Sequence, residues 1–196
     1  SEMLDDISFL SSWIRNKLIV RLFLDIDQQV LDGDGAGANL NGIITQATAF
    51  AAGTFANTVD NANDVDSLVV GINQIKIANQ GISSLTIFMH PSDVTGLKLT
   101  KLTTTDKRYL ARLMEVASSM SLDGTRIVET TAVTVGDFLI ADMSKAMVVE
   151  KGGITVDVGL DGNDFTKNMR TILAEWRGEV LIQTNETTSF VTGTFA

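Results

Sequence analysis

The chain contains no cysteine, one histidine and one proline among its 196 residues. Without cysteine there is no disulfide, no thiolate metal site and no thiol nucleophile. A single histidine leaves no usual zinc ligand set. Aromatic residues make up 6% of the chain and are scattered, which excludes a base-stacking platform. No apolar run reaches the ~18 residues of a membrane span, and no secretory signal is present. Cations are in the minority, 15 against 24 acids, for a net charge of -9. General nucleic-acid binding needs clustered Lys and Arg, so that class is disfavoured. What the chain does have is a 44% hydrophobic share, enough for a core without staples. Its length suits one large domain or two small ones.

Ser1 leads directly into a helical pattern, so the sequence reads as a fragment that begins inside an element. From residue 3 to 31 apolar side chains recur at helical spacing: Leu4, Ile7, Leu10, Ile14, Leu18 and Leu22, broadened by Phe9, Trp13 and Phe23. The helix should end at Asp32-Gly33 after roughly 43 Å and serve as a spine. Trp13 and Ile14 are expected to be buried against the strand carrying Trp176. Residues 32–42 form a glycine-punctuated loop, and 43–59 read as short strand and irregular structure. Asp64 caps a helix reaching Asn79, with Val65, Leu68, Val69, Ile72 and Ile75 inward and Gly81 as its stop. Leu85–Met89 is a buried strand. Pro91 then opens a helix to about Lys101. Residues 107–120 read as helical or partly irregular. Strands follow at 126–129, 137–141, 146–150 and 155–158, separated by glycines. Residues 165–168 make a turn. Residues 169–183 read as one long strand, with Ile172, Ala174, Trp176, Val180 and Ile182 on one face. Thr171, Glu175, Arg177, Glu179 and Gln183 take the other face, and residues 190–195 give a last strand. Helices and strands that do not alternate regularly make the fold class α+β. The two ends are expected to pair, giving a discontinuous domain of residues 1–60 and 159–196 around a central one of 61–158.

Three places invite a chemical reading. The loop Gly33-Asp34-Gly35-Ala36-Gly37 offers backbone amides to an anion. However, it follows a helix, lacks the Lys-Ser/Thr of a P-loop, and carries Asp32 and Asp34, which repel phosphate. Its Asp-x-Asp-Gly hints at calcium, but no bidentate acid stands at the required distance. His90 lies between a strand and Pro91, where it orients a helix entry; Ser92 and Asp93 beside it do not make a triad. Glu175 lies on the outward face of its strand, seven positions after Asn168, as an exposed carboxylate available for a cross-strand pair. No cofactor or metal ligand set follows from these residues.

Five motifs occur in order along the whole chain. Asp32-Gly33-Asp34-Gly35-Ala36-Gly37-Ala38-Asn39-Leu40-Asn41-Gly42 follows the spine helix. His90-Pro91-Ser92-Asp93 makes a strand-to-helix step, and Gly136-Asp137-Phe138 opens a strand. Asp164-Phe165-Thr166-Lys167-Asn168-Met169 precedes the long strand, and Val191-Thr192-Gly193-Thr194-Phe195 closes the chain. This set resembles the signature of the major capsid proteins of tailed phages, the Hong Kong ninety-seven fold.

The resemblance implies a phage capsid-like α+β fold with a spine helix, an elongated peripheral domain and an axial domain. It implies a structural protein and no enzyme, self-assembling through pentamers and hexamers into an icosahedral shell around double-stranded DNA. Scaffold, portal and protease proteins are the implied further partners, with no sequence-specific nucleic acid and no membrane. Localisation would be the virion capsid, assembled in the bacterial host cytoplasm. The family's N-terminal arm and extended loop have no counterpart here, so this chain alone is expected to stay monomeric or form small oligomers. In some family members an asparagine and a glutamate take part in an isopeptide cross-link with a neighbour's lysine; Asn168 and Glu175 fall on those positions. Two alternatives stand beside the capsid reading. One is an encapsulin-like bacterial compartment shell. The other is an enzyme using the Gly33–Gly37 loop as an anion site.

Overall fold

The computed structural model describes residues 2–56, 64–79, 81–100, 114–116, 119–167 and 169–195. Helix α1 (Glu2–Asp32) runs for 31 residues, about 46 Å at 1.5 Å per residue. Short helix α2 (Ile43–Gln46), strand β1 (Thr48–Ala49) and a 3-10 turn (Gly53–Phe55) follow. Helix α3 (Asp64–Ala78) has Asp64 and Asp66 in its first turn and Lys76 in its last, as the helix dipole favours. Strand β2 (Leu85–Met89) leads into α4 (Pro91–Leu99), which stops at Thr100, slightly short of the expected Lys101. Strands β3 (Met114–Val116), β4 (Ser119–Leu122), β5 (Thr125–Glu129), β6 (Asp137–Asp142), β7 (Ala146–Glu150) and β8 (Thr155–Gly159) come next. The chain finishes with α5 (Asp164–Lys167), β9 (Thr171–Glu175), β10 (Gly178–Ile182), a 3-10 turn (Thr184–Ser189) and β11 (Phe190–Thr194).

Seven strands form the main sheet in the order β1-β11-β6-β2-β5-β4-β3. The pairs β1–β11 and β2–β5 are parallel, and the other neighbours are antiparallel. Two antiparallel ribbons, β7–β10 and β8–β9, stand apart from it. Strand β6 organises the interior, because its period-2 alternation feeds two cores. Phe138 and Ile140 point to one face, among Leu68, Ile72 and Ile75 of α3 and Val94 and Leu97 of α4. Leu139 and Ala141 point to the other, among Ile43, Val180 and Phe190, with Val30 and Leu31 from the end of α1. A strand buried on both faces loses its polar alternation, which is why Phe-Leu-Ile-Ala reads as a continuous apolar run.

Five expectations need correction. Residues 114–116 and 119–122 are strands, not helix: Met114–Val116 pair antiparallel with Ser119–Ser121; residues 107–113 and 117–118 lie outside the described residues. Val69 faces outward, because the buried stripe of α3 runs through Leu68, Ile72 and Ile75. The segment 164–167 closes as one helical turn, and Asn168 lies outside the described residues. The long strand is two strands with different partners, β9 on β8 and β10 on β7. The break falls at Trp176-Arg177. There the indole folds back over Gly178, where any Cβ would collide with the ring, and its Nε1 donates to Glu150 Oε2 at 3.0 Å. Finally, Trp13 is 52% exposed. Among the described residues, the part of α1 that packs against the buried core is its C-terminal end, Val30 and Leu31, and Trp13 lies more than four turns away from it.

Candidate functional site

The glycine loop satisfies itself. Gly33 N–H donates to Gln29 O (2.9 Å), Gly35 N–H to Leu40 O (2.9 Å), and Gly42 N–H to Gly33 O (2.9 Å). The Asp34 carboxylate accepts from the Ala36 amide (3.0 Å) and from Asn39 Nδ2 (2.8 Å). These bonds hold its pKa below the ordinary aspartate value. Gln29, one turn inside α1, accepts from the Leu40 amide through Oε1 (2.8 Å) and donates to Asn39 Oδ1 (3.3 Å). Thr45 donates to Gly33 O at 2.7 Å, and Gln46 to Asn41 O at 2.7 Å. Gly33 and Gly42 sit so close that a Cβ on either would strike the other strand of the loop. The amides of Gly33, Gly35 and Ala36 are turned onto Gln29 O, Leu40 O and the Asp34 carboxylate, so the anion-site enzyme reading fails. The loop is a clasp that fixes the end of the spine helix to α2.

Three of the other motifs meet in one place. His90 caps α4: its Nδ1 accepts from the Ser92 amide at 3.2 Å. Asp93 Oδ2 accepts from the Gly136 amide at 2.8 Å. Gly136 O accepts from the Phe195 amide (2.8 Å), and Thr194 Oγ1 donates to Asp137 Oδ1 (2.8 Å). Gly193 lies opposite Phe138 in the β11–β6 register. Its missing side chain makes room for the Phe138 ring, which lies tilted against Phe195 at 5.0 Å and meets Phe50 edge-on at 5.6 Å. The charge of Asp93 also acts on Asp64, whose pKa is raised first by burial and then by that carboxylate. His90, Ser92 and Asp93 thus hold a helix entry and a strand start. They do not form a nucleophile with its base.

A third knot was not visible in the sequence. Asp142, at the end of β6, is fully buried. It accepts from Ser144 Oγ (2.7 Å), Ser144 N (3.1 Å) and Ser83 N (3.1 Å). Burial alone raises its pKa, but these bonds outweigh it and leave the carboxyl below its ordinary value. The signal for it was Asp-Met-Ser after an apolar strand, an Asx-type turn.

Glu175 is exposed at the end of β9, opposite Thr155, with Lys151, Gly152, Gly153 and Arg177 around it. Asp164 ties the base of the same ribbon: its Oδ2 accepts from Thr171 Oγ1 (2.6 Å) and from the Asp161 amide (3.0 Å), which lower its pKa. A groove of about 480 Å³ runs between α1 and the Trp176 break, lined by Leu22, Ile26, Gln29, Leu40, Trp176 and Gly178 among others. No group of three or more His, Cys, Asp or Glu is placed to hold a metal ion among the described residues.

A chain whose signature residues are spent on clasps, caps and an aromatic knot is built to hold a shape. The phage capsid family matches residues 1–192, and the chain belongs to that family, a structural and non-enzymatic one. The major capsid protein of Enterobacteria phage HK97 is 29% identical over 197 residues, which cover 100% of this chain and 49% of that protein. The chain therefore spans about half the length of this curated relative. Among solved structures the fold is similar to the capsid of an empty GTA particle, with TM-score 0.63 and 14% identity over 95% of this chain and 66% of that one. It is also similar to the satellite phage P4 procapsid that includes the size determination (Sid) protein, with TM-score 0.55 and 12% identity over 94% of this chain and 66% of that one. At such identities the likeness is one of fold, a mixed α+β architecture shared with capsid subunits.

Proposed function

We propose that the protein is the shell-forming part of a tailed-phage or prophage major capsid protein. It self-assembles through pentamers and hexamers into an icosahedral shell around double-stranded DNA, in the host cytoplasm, and remains in the virion. The observation that carries this reading is the family match together with the fate of the motifs. The motif residues Asp34, His90, Asp93, Asp137 and Asp164 are engaged in holding the fold, as are the glycine clasp and the Phe138–Gly193 knot. Scaffold, portal and protease proteins are the partners this reading brings with it.

In the same reading, residues 1–60 with 159–196 make the peripheral-type body and residues 61–158 the axial-type body. The β11–β6, β10–β7 and β9–β8 pairings join the two. Glu175 takes a structural role at the β8–β9 ribbon, and Asn168, outside the described residues, takes no part in a covalent cross-link. The protein expressed with its complete coding sequence should sediment as particles and protect DNA from nuclease in infected or induced cells. Particles that hold a cargo enzyme and no DNA would replace this reading with the compartment-shell alternative.

A further inference from the structure

The glycine clasp concentrates one kind of peptide bond. Asp32-Gly33, Asp34-Gly35 and Asn41-Gly42 all fall within residues 32–42, and Asn41-Gly42 is the sole Asn-Gly step in the sequence. Such a bond is prone to rearrangement, because glycine has no side chain to hinder attack of its nitrogen on the preceding side-chain carbonyl carbon. In the closed clasp each of these nitrogens is tied. Gly33, Gly35 and Gly42 donate to Gln29 O, Leu40 O and Gly33 O, each at 2.9 Å. Asn41 is held further by its antiparallel bridge to Asp34 and by Gln46 Nε2, which donates to Asn41 O at 2.7 Å. Ring closure at Asn41 requires rotation about its Cα–C bond until the Gly42 nitrogen eclipses Cβ. That rotation breaks the Gly42–Gly33 hydrogen bond. Packing keeps the reactive step in place, since a Cβ at 42 would strike Gly33 N and Leu31 O and the position admits only glycine.

We propose that Asn41 is a modification site, a deamidation latch that the closed clasp holds off and the opened clasp releases. The Gly42 nitrogen attacks Asn41 Cγ, its proton passes through water to the side-chain amide, and the Cγ–Nδ2 bond breaks to release ammonia. Water then opens the five-membered imide at either carbonyl, leaving an aspartyl or an isoaspartyl residue. Of the three bonds this one is the reactive member. It expels neutral ammonia, whereas an aspartate must expel water from a carboxyl that is ordinarily ionised at neutral pH. The product does not restore the clasp. A carboxylate at 41 stands opposite Asp34 across the bridge, like charge against like. The isoaspartyl form adds a carbon to the main chain and shifts the register between 33 and 42. A chain whose clasp stays open is thereby marked irreversibly at the joint between α1 and α2. The inference goes beyond the shell reading and concerns the chemical lifetime of the subunit.

Asp161→Asn supplies an internal reference, the same Asn-Gly pair in an exposed turn. The folded variant is incubated in mildly alkaline buffer, and conversion at each position is followed by peptide mapping with mass spectrometry. Position 41 should convert at least about tenfold more slowly than position 161; tenfold corresponds to about 1.4 kcal/mol of clasp opening. In urea the two positions should convert at similar rates. Gln46→Ala and Gln29→Ala each remove a bond across the clasp and should speed position 41 while position 161 is unchanged. Asn41→Asp supplies the carboxylate directly and should lower the urea midpoint of unfolding. Equal rates at 41 and 161 in the folded chain overturn the inference, since the clasp then shields nothing. Slow conversion at 41 that persists in urea also overturns it, and this comparison needs no clasp variant to fold. Folded clasp variants that leave the rate at 41 unchanged, or a midpoint that Asn41→Asp does not move, likewise overturn it. Failure of the shell reading is separate: it shows as absence of particles from the protein with its complete coding sequence.

Discussion

Gly193→Ala tests whether two motifs 55 positions apart are one structural unit. The backbone of Gly193 is ordinary strand, so alanine meets no conformational penalty there and only the space matters. A Cβ at 193 would lie 2.6 Å from Phe50 Cβ and 2.8 Å from Phe138 Cζ, well inside the ~3.5–4.0 Å of carbon–carbon contact. Overpacking of this kind costs about 1–3 kcal/mol. Phe138→Leu removes the ring that fills part of the space and buttresses Phe50, whose Cβ fills the rest; it gives up the contacts with Phe50 and Phe195, each worth about 0.5–1.5 kcal/mol. If the account is right, the losses are not additive. The double variant should be more stable than the sum of the singles implies, by about 1 kcal/mol or more. Urea unfolding followed by tryptophan fluorescence reads this. With a slope of about 1–3 kcal/mol per molar, the single-variant midpoints should fall by about 1 M, and the coupling is measurable. Additivity within about 0.5 kcal/mol would refute the knot.

Other outcomes follow from the same geometry. Asp142→Ala strands two backbone amides and a hydroxyl and should cost about 3 kcal/mol, with Asp142→Asn less severe because it keeps an acceptor. Since the folded pKa of Asp142 is depressed, its contribution is complete above the unfolded value of about 3.9 and is lost as pH falls through the folded pKa; the gap between wild type and variant should close on acidification. Gly178→Ala should displace the Trp176 indole and red-shift its emission, with about 1–3 kcal/mol lost, whereas retention of the native emission would show that the strand break has another cause. Trp13→Asp should leave the isolated chain folded by circular dichroism, because that side chain is half in water. On denaturing gels of mature particles only monomer bands are expected; a ladder that disappears in Glu175→Ala would instead give Glu175 and Asn168 the covalent role.

Elements whose signal is local were readable from residues alone. The 3.6-residue rhythm of α1, the Asp64 start of α3, the His90-Pro91 entry to α4 and the strand at 146–150 all appear where the pattern placed them. The alternation from Thr171 to Gln183 was also real, since inward and outward residues keep their parity across the break. The break was hidden because it depends on an indole lying over a glycine two residues away and on Glu150, 26 positions earlier. Trp13 was misplaced because helical spacing marks an apolar stripe without showing which part of it the described residues cover. Of the site residues, His90 and the glycine loop were read correctly as structure. Gln29 and Asp142 were missed because their partners, Leu40 and Ser83, come from loops that only the folded chain brings near.

The central claim is that this chain forms the wall of an icosahedral shell. Cryo-electron microscopy of particles purified from the protein expressed with its complete coding sequence tests it most directly. The account predicts closed shells of pentamers and hexamers in which the α1 helix, the seven-stranded sheet and the β8–β9 ribbon fit the density of every subunit. Monomers or open aggregates alone, under conditions where the protein is folded and abundant, would contradict it.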